Sequence, residues 1–172
     1  LTQISIPSSI ISIREDVFNS CSSLTQVLIP SSVTSIGKSA FYSCSSLPQI
    51  SIPSSITEIK EAAFYECSSL REIIFEQPSS ITSIERFTFC SCSSLTQISI
   101  PSSVTFIKEK AFKECSSLTQ ISIPSSLTYI GESAFELCKL LTQISFSVPS
   151  SLSTIGKQAF YQCSSLTQVS IP

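Results

Sequence analysis

C-S-S-L-T-Q-I-S-I-P-S-S-V-T-F-I-K-E-K-A-F-K-E-C, residues 92–115, holds one copy of nearly everything the chain repeats. Its inner phrase, L-T-Q-I-S-I-P-S-S, begins at Leu1 and returns in recognisable form at Leu24, Leu47, Leu70, Leu95, Leu118, Leu141 and Leu166. The steps between these leucines are 23, 23, 23, 25, 23, 23 and 25 residues. A fixed period of this length is the mark of a stacked array rather than of one irregular globule. The two long steps carry two extra residues around Glu76-Gln77 and Ser147-Val148, each just before the proline. A turn absorbs such an insertion where a strand does not, so the Pro-Ser-Ser segment reads as loop.

Within the quoted unit, Leu95, Ile98 and Ile100 point inward and Thr96, Gln97 and Ser99 outward, the alternation of a short strand. Pro101 has no N–H for a ladder and ends it. Val104 and Ile107 anchor a second extended piece, and Ala111, Phe112 and Cys115 predict a tight helical or 3₁₀ turn. One such unit cannot bury its apolar side alone. Stacked copies can, with Leu on Leu, Ile on Ile, Phe on Phe and Cys on Cys. Eight strands at the usual spacing would span roughly 35 Å. The expected domain is therefore one repeat solenoid over residues 1–172, seven repeats and a partial eighth.

Composition narrows the function. Charged residues make up only 13% of the 172 and apolar residues 42%, so the chain is not of the disordered class. A net charge of −2 gives no electrostatic reason to expect nucleic acid. No apolar run approaches a membrane span, so direct membrane insertion is not expected. The sequence has no histidine, which removes Ser–His–Asp and Cys–His catalysis and most catalytic zinc sites. No enzyme activity and no cofactor are expected, because the carboxylates fall on outer turns without a base to pair with a nucleophile.

The pattern C-x-x-L-x-x-I-x-I-P-x-S-[IV]-T-x-I-x-x-x-A-F-x-x-C, seen at Cys44–Cys67 and again at Cys92–Cys115, resembles the BspA-like (Treponema pallidum-type) leucine-rich repeat. The resemblance covers the whole chain. It implies a right-handed arc with a parallel β-sheet on the concave face and short strands or 3₁₀ turns on the convex face. It implies an extracellular or cell-surface protein engaged in adhesion to a host or matrix protein, host cells or other microbes, with no catalytic residues to carry over; a glycan is the partner that the uniform, uncharged, hydrogen-bonding strand face would suit. Recognisable end caps are missing, so a piece of a longer array, or an oligomer that covers the ends, is expected.

Seven of the eight cysteines share one repeat position: Cys21, Cys44, Cys67, Cys92, Cys115, Cys138 and Cys163. An even count invites a disulfide reading, but a single inward slot predicts a column of buried thiols instead. Metal binding is not expected without histidine or a Cys-x-x-Cys pair. Cys90 follows Phe89 where other repeats place Asn19, Tyr42, Tyr65, Lys113, Glu136 and Tyr161, and that mostly polar set predicts a solvent-facing position. Cys90 is then either an exposed thiol able to link two chains or an incidental substitution.

Outward strand residues form a threonine column (Thr2, Thr25, Thr96, Thr119, Thr142, Thr167), a glutamine column (Gln3, Gln26, Gln49, Gln97, Gln120, Gln143, Gln168) and a serine column (Ser5, Ser51, Ser99, Ser122, Ser145, Ser170). By the resemblance this face is the default ligand site, with Thr96, Gln97, Ser99, Thr119, Gln120 and Ser122 at its centre. The competing reading is a solvated face whose residues stabilise one another. Arg71, Glu72 and Ile74 interrupt the pattern and are either a specificity patch or drift in one repeat. Phe106 and Tyr129 are neighbouring aromatics in another column, and Leu140 breaks the usual Ser-Ser-Leu. With Cys90 they form the candidate oligomer contacts. Recognition of an extracellular partner leads. Self-assembly into a homodimer or lattice is the alternative, and ice binding by the threonines is disfavoured because it wants a flat face.

Overall fold

A computed structural model describes residues 1–169 and 171; Ser170 of the serine column lies outside the described residues. Each repeat contributes a longer strand, a Pro-Ser-Ser bend, a two-residue strand and a turn. The longer strands are β1 (Gln3–Ser5), β3 (Gln26–Leu28), β5 (Gln49–Ile52), β7 (Glu72–Phe75), β10 (Gln120–Ile123) and β12 (Gln143–Phe146). The two-residue strands are β2 (Ser12–Ile13), β4 (Ser35–Ile36), β6 (Glu58–Ile59), β8 (Ser83–Ile84), β9 (Phe106–Ile107), β11 (Tyr129–Ile130) and β13 (Thr154–Ile155). All pairings are parallel and keep repeat register, such as Gln120 beside Gln143 and Ser12 beside Ser35. In β5, β7 and β10, alternate residues are buried and exposed, as the sequence alternation requires.

The core is a set of single-residue columns. Phe18, Phe41, Phe64, Phe89, Phe112, Phe135 and Phe160 stack with neighbouring centroids 5.2–5.6 Å apart. Beside them, the thiols of Cys44, Cys67, Cys92, Cys115, Cys138 and Cys163 each donate to the carbonyl oxygen of a phenylalanine in the preceding repeat, at 3.1–3.2 Å. The expected column of buried, unpaired thiols is present in these six, with their S–H groups satisfied, while Cys21 in the first turn is half-buried.

The turn after each short strand has the i→i−3 bonds expected of a 3₁₀ segment, for example Tyr42 N to Ser39 O and Cys44 N to Phe41 O. It does not continue as a helix, and among the described residues there is none. Two residues per turn adopt positive φ, such as Ser39 (50°) and Ser43 (52°), although none is glycine. That conformation costs an L-residue about 1 kcal/mol or more. It also turns the backbone N–H along the stack: Ser39 donates to Glu61 O and Ser43 to Tyr65 O, one repeat on. The inter-repeat bonds offset the strain.

Glycine serves a different purpose here. Gly37 and Gly131 donate to Ile13 O and Ile107 O at 2.7 Å, whereas Lys60 and Lys108 at the same step make 2.9 Å bonds. A Cβ on Gly131 would lie 2.5 Å from the carbonyl carbon of Lys108. Gly131→Ala is expected to push these turns apart and cost about 1–3 kcal/mol, read as a lower melting temperature. An unchanged melt would show that the turns slide freely.

The long-strand sheet is not continuous. Arg71 N reaches Pro48 O at 2.8 Å and Thr25 N reaches Thr2 O at 2.7 Å, but Pro48 has no N–H to return to Thr25. The ladder splits there into β1–β3 and β5–β7. Residues 96–100 form only an isolated bridge, Ser99 to Ser122, and the Thr96 N to Arg71 O bond stretches to 3.3 Å. The short-strand ladder breaks once, between β6 and β8, at the repeat that carries the Glu76-Gln77 insertion. Both insertions lie outside the strands, as the sequence required.

Cys90 departs from expectation. It is 3% exposed, because cysteine is the shortest side chain in a column of half-buried Tyr42, Tyr65, Lys113 and Glu136. Burial pushes its thiol pKa up, against a lowering hydrogen bond with Ser91. An accessible Cys90 thiol is thereby corrected.

Candidate functional site

On the long-strand face, the threonine hydroxyls are already committed. Thr25 donates to Thr2 O at 2.9 Å, Thr142 to Thr119 O at 3.0 Å, and Thr96 and Thr119 to Arg71 O and Thr96 O at 3.4 Å. A second threonine column before the short strands behaves alike, from Thr34 on Ile11 O to Thr128 on Thr105 O. The second serine of the Pro-Ser-Ser bend does so too, as Ser126 on Val104 O shows. These hydroxyls recur because each ties its turn to the one before, a bond worth about 1 kcal/mol. In the serine column Ser122 meets Ser145 at 3.0 Å and Ser51 donates to Glu76 at 3.1 Å. The glutamines, Gln97 and Gln120 among them, are exposed and make no side-chain hydrogen bond among the described residues. Of the three columns, the glutamines are the one left free for a partner throughout, while in the others Thr2, Ser5 and Ser99 keep hydroxyls without a side-chain hydrogen bond among the described residues.

Arg71 and Glu72 are both exposed, and Ile74 is 43% exposed. Pairing of β5 with β7 sets Glu72 beside Gln49 and Ile74 beside Ser51. One repeat further back, Leu28 takes the serine position and is 55% exposed. The sequence reading missed Leu28, though its signal was a V-L-I in place of I-S-I. Leu28 and Ile74 flank Ser51, and a shallow depression of about 260 Å³ runs between β3 and β5, lined in part by Leu28, Pro48 and Ser51. It follows the line of the missing Pro48 rung. A similar depression of about 220 Å³ includes Gln97, Ser99, Gln120 and Ser122.

The remaining candidates do not form one patch. Phe106 and Tyr129 meet on the short-strand face, with centroids 6.4 Å apart. Leu140 is exposed in the turn before Leu141, where its N–H reaches Ser116 O. Cys90 is buried in the turn column.

The BspA-type leucine-rich repeat model matches residues 1–83 and 74–172, in six copies. Among solved structures, a leucine-rich repeat protein of T. pallidum superposes with a TM-score of 0.87 at 31% identity, over 96% of this chain and 78% of its own. A leucine-rich cell surface protein of Faecalibacterium prausnitzii is 38% identical, with a TM-score of 0.77, over 85% of this chain and 39% of its own. A leucine-rich repeat protein of Eubacterium ventriosum is 28% identical, with a TM-score of 0.85, over 98% and 44%. The chain thus spans less than half the length of the last two. Comparison with curated proteins found no match. The fold is of a kind that typically serves as a non-catalytic interaction scaffold. Repeat by repeat and along its whole length, the chain belongs to the BspA-type leucine-rich repeat family.

Proposed function

We propose that the chain is a cell-surface recognition module that holds an extracellular protein or glycan on its long-strand face, centred on Arg71, Glu72, Leu28 and Ile74. The observation that carries this reading is the contrast in hydrogen bonding across the face. Threonine hydroxyls are spent on neighbouring turns, while the glutamine amides, one charged pair and two exposed aliphatic side chains are left outward. Apolar anchors rimmed by polar groups are the usual make-up of a contact centre. The surface setting draws support from the F. prausnitzii protein, which is described as a cell surface protein.

The test pairs Leu28→Ser with Ile74→Ser, and separately Arg71→Thr with Glu72→Gln, against a panel of immobilised matrix proteins and glycans. Each pair is expected to weaken binding by about tenfold, equivalent to about 1.4 kcal/mol. Undiminished binding by both would move the site elsewhere.

Self-assembly is the second reading, supported by Ile10, Ile11 and Val17, which lie exposed in the first turn, Ile10 and Val17 lining an apolar depression of about 340 Å³. A concentration-dependent mass in light scattering would favour it over recognition.

A further inference from the structure

Phe106 and Tyr129 occupy a column that elsewhere carries Ser12, Ser35, Glu58, Ser83 and Thr154. Parallel pairing of β9 with β11 places them side by side. Their ring planes are tilted by 52°, Phe106 is 45% exposed, and the inward residues at this step are Ile107 and Ile130. The rings therefore contribute little to the core. They form a ledge in a shallow depression of about 350 Å³, completed by Arg86, Lys108 and Glu109.

Around the ledge three cations share two carboxylates, so that each cation has a partner. Arg86 pairs with Glu109 at 3.0 Å, Lys110 with Glu109 at 2.9 Å, and Lys108 with Glu85 at 2.6 Å. An anion would find no unpaired cation among these. The hydrogen bond from Lys110, and then the charge of Arg86, hold the Glu109 carboxyl below its usual range, so at neutral pH it is an acceptor. A guanidinium has five donors and a carboxylate about four acceptor sites, more than one mutual contact uses. Arg86 and Glu109 thus present donors and acceptors together beside an aromatic surface. An extended peptide would seek an open strand edge, but β9 and β11, which carry the two rings, are each paired on both sides.

A fitting ligand has an apolar C–H face for the negative faces of the rings and adjacent groups that both donate and accept. Sugar rings with vicinal hydroxyls have both. We propose that Phe106, Tyr129, Arg86 and Glu109 form a binding site for a neutral oligosaccharide, one sugar ring lying on the two aromatics with its hydroxyls on the Arg86–Glu109 pair. The site is on a different face from the long strands and stands independently of the partner proposed there.

The test is calorimetric titration of cellotetraose, maltotetraose, mannotetraose and tetra-N-acetylchitotetraose into the full chain, with inorganic phosphate as the anion probe. At least one oligosaccharide is expected to bind with a Kd of about 1 mM or tighter. Phe106→Ala should weaken it about tenfold and Glu109→Gln by a smaller factor. Tyr161→Ser, which removes an exposed aromatic outside the site, should leave it unchanged. Circular dichroism confirms that each variant folds. The proposal is overturned if none of the four sugars binds, if Phe106→Ala binds as well as the parent, or if Tyr161→Ser loses as much. It is equally overturned if phosphate binds in a Phe106-dependent manner while the sugars do not.

Discussion

Phe112→Ala is expected to lower stability by about 3–5 kcal/mol, against a total of roughly 5–15 kcal/mol for an ordinary domain. Phe112 is fully buried and stacks on two partners, Phe89 at 5.5 Å and Phe135 at 5.2 Å. In a repeat array, stability is the sum of weak single turns and the interfaces between neighbours. Removing one ring from the middle of the column therefore damages two interfaces at once. Phe18, with one recorded stacking partner at 5.2 Å, should cost less when truncated. Urea unfolding followed by circular dichroism compares them. Equal losses would mean that the rings act as isolated fillers and do not couple the turns.

The second large effect is alkaline. Burial pushes the Cys44 thiol up to about 12 and that of Cys163 up to about 11, and raises Cys67, Cys92, Cys115 and Cys138 as well. In the unfolded chain the same thiols ionise at about pH 8.5. Between that value and the folded one, the unfolded state has fewer bound protons, so stability falls as pH rises. Below about pH 8 the thiols contribute no slope. About a unit above the unfolded value, each thiol still protonated in the fold removes about 1.4 kcal/mol per further pH unit, and six together about 8 kcal/mol, enough to unfold a domain within one or two units. Urea midpoints measured from pH 7 to about 10.5 in reductant should drop steeply from about pH 9. Cys115→Ala should flatten that drop by one proton. A flat profile, or an unchanged slope in the variant, would show that the column is open to water.

Much of this architecture was readable because each repeat restates it. The Leu, Ile, Phe and Cys columns, the strand ended by Pro101 and the two looped insertions all follow from the period and from alternation. Single-position departures were harder. Pro48 stands where every other repeat but that of Arg71 has threonine, and the lost N–H that splits the sheet is a local fact which the recurrence conceals. Cys90 was misplaced because the polarity of its neighbours was taken to set its exposure, whereas side-chain length decided it. The positive-φ residues carried no glycine to mark them, since the strain is offset by bonds to another repeat. At the candidate site, Arg71, Glu72 and Ile74 stood out by type. Leu28 did not, because a leucine within an aliphatic strand looks inward until register is known.

The direction of the hydrogen bonds has an electrical consequence. In the turns, Asp16, Phe18 and Ser20 donate forward, to Lys38, Ala40 and Tyr42 of the next repeat. On other sides of the coil the backbone donors run the other way: Thr25 to Thr2, Thr34 to Ile11 and Gly37 to Ile13 all point back. An α-helix aligns its peptide units and accumulates a pole at each end. Here opposed donors on different sides of each coil largely cancel along the axis, as strand dipoles do in a sheet. Adding a turn therefore does not accumulate a pole at each end in the way that lengthening a helix does.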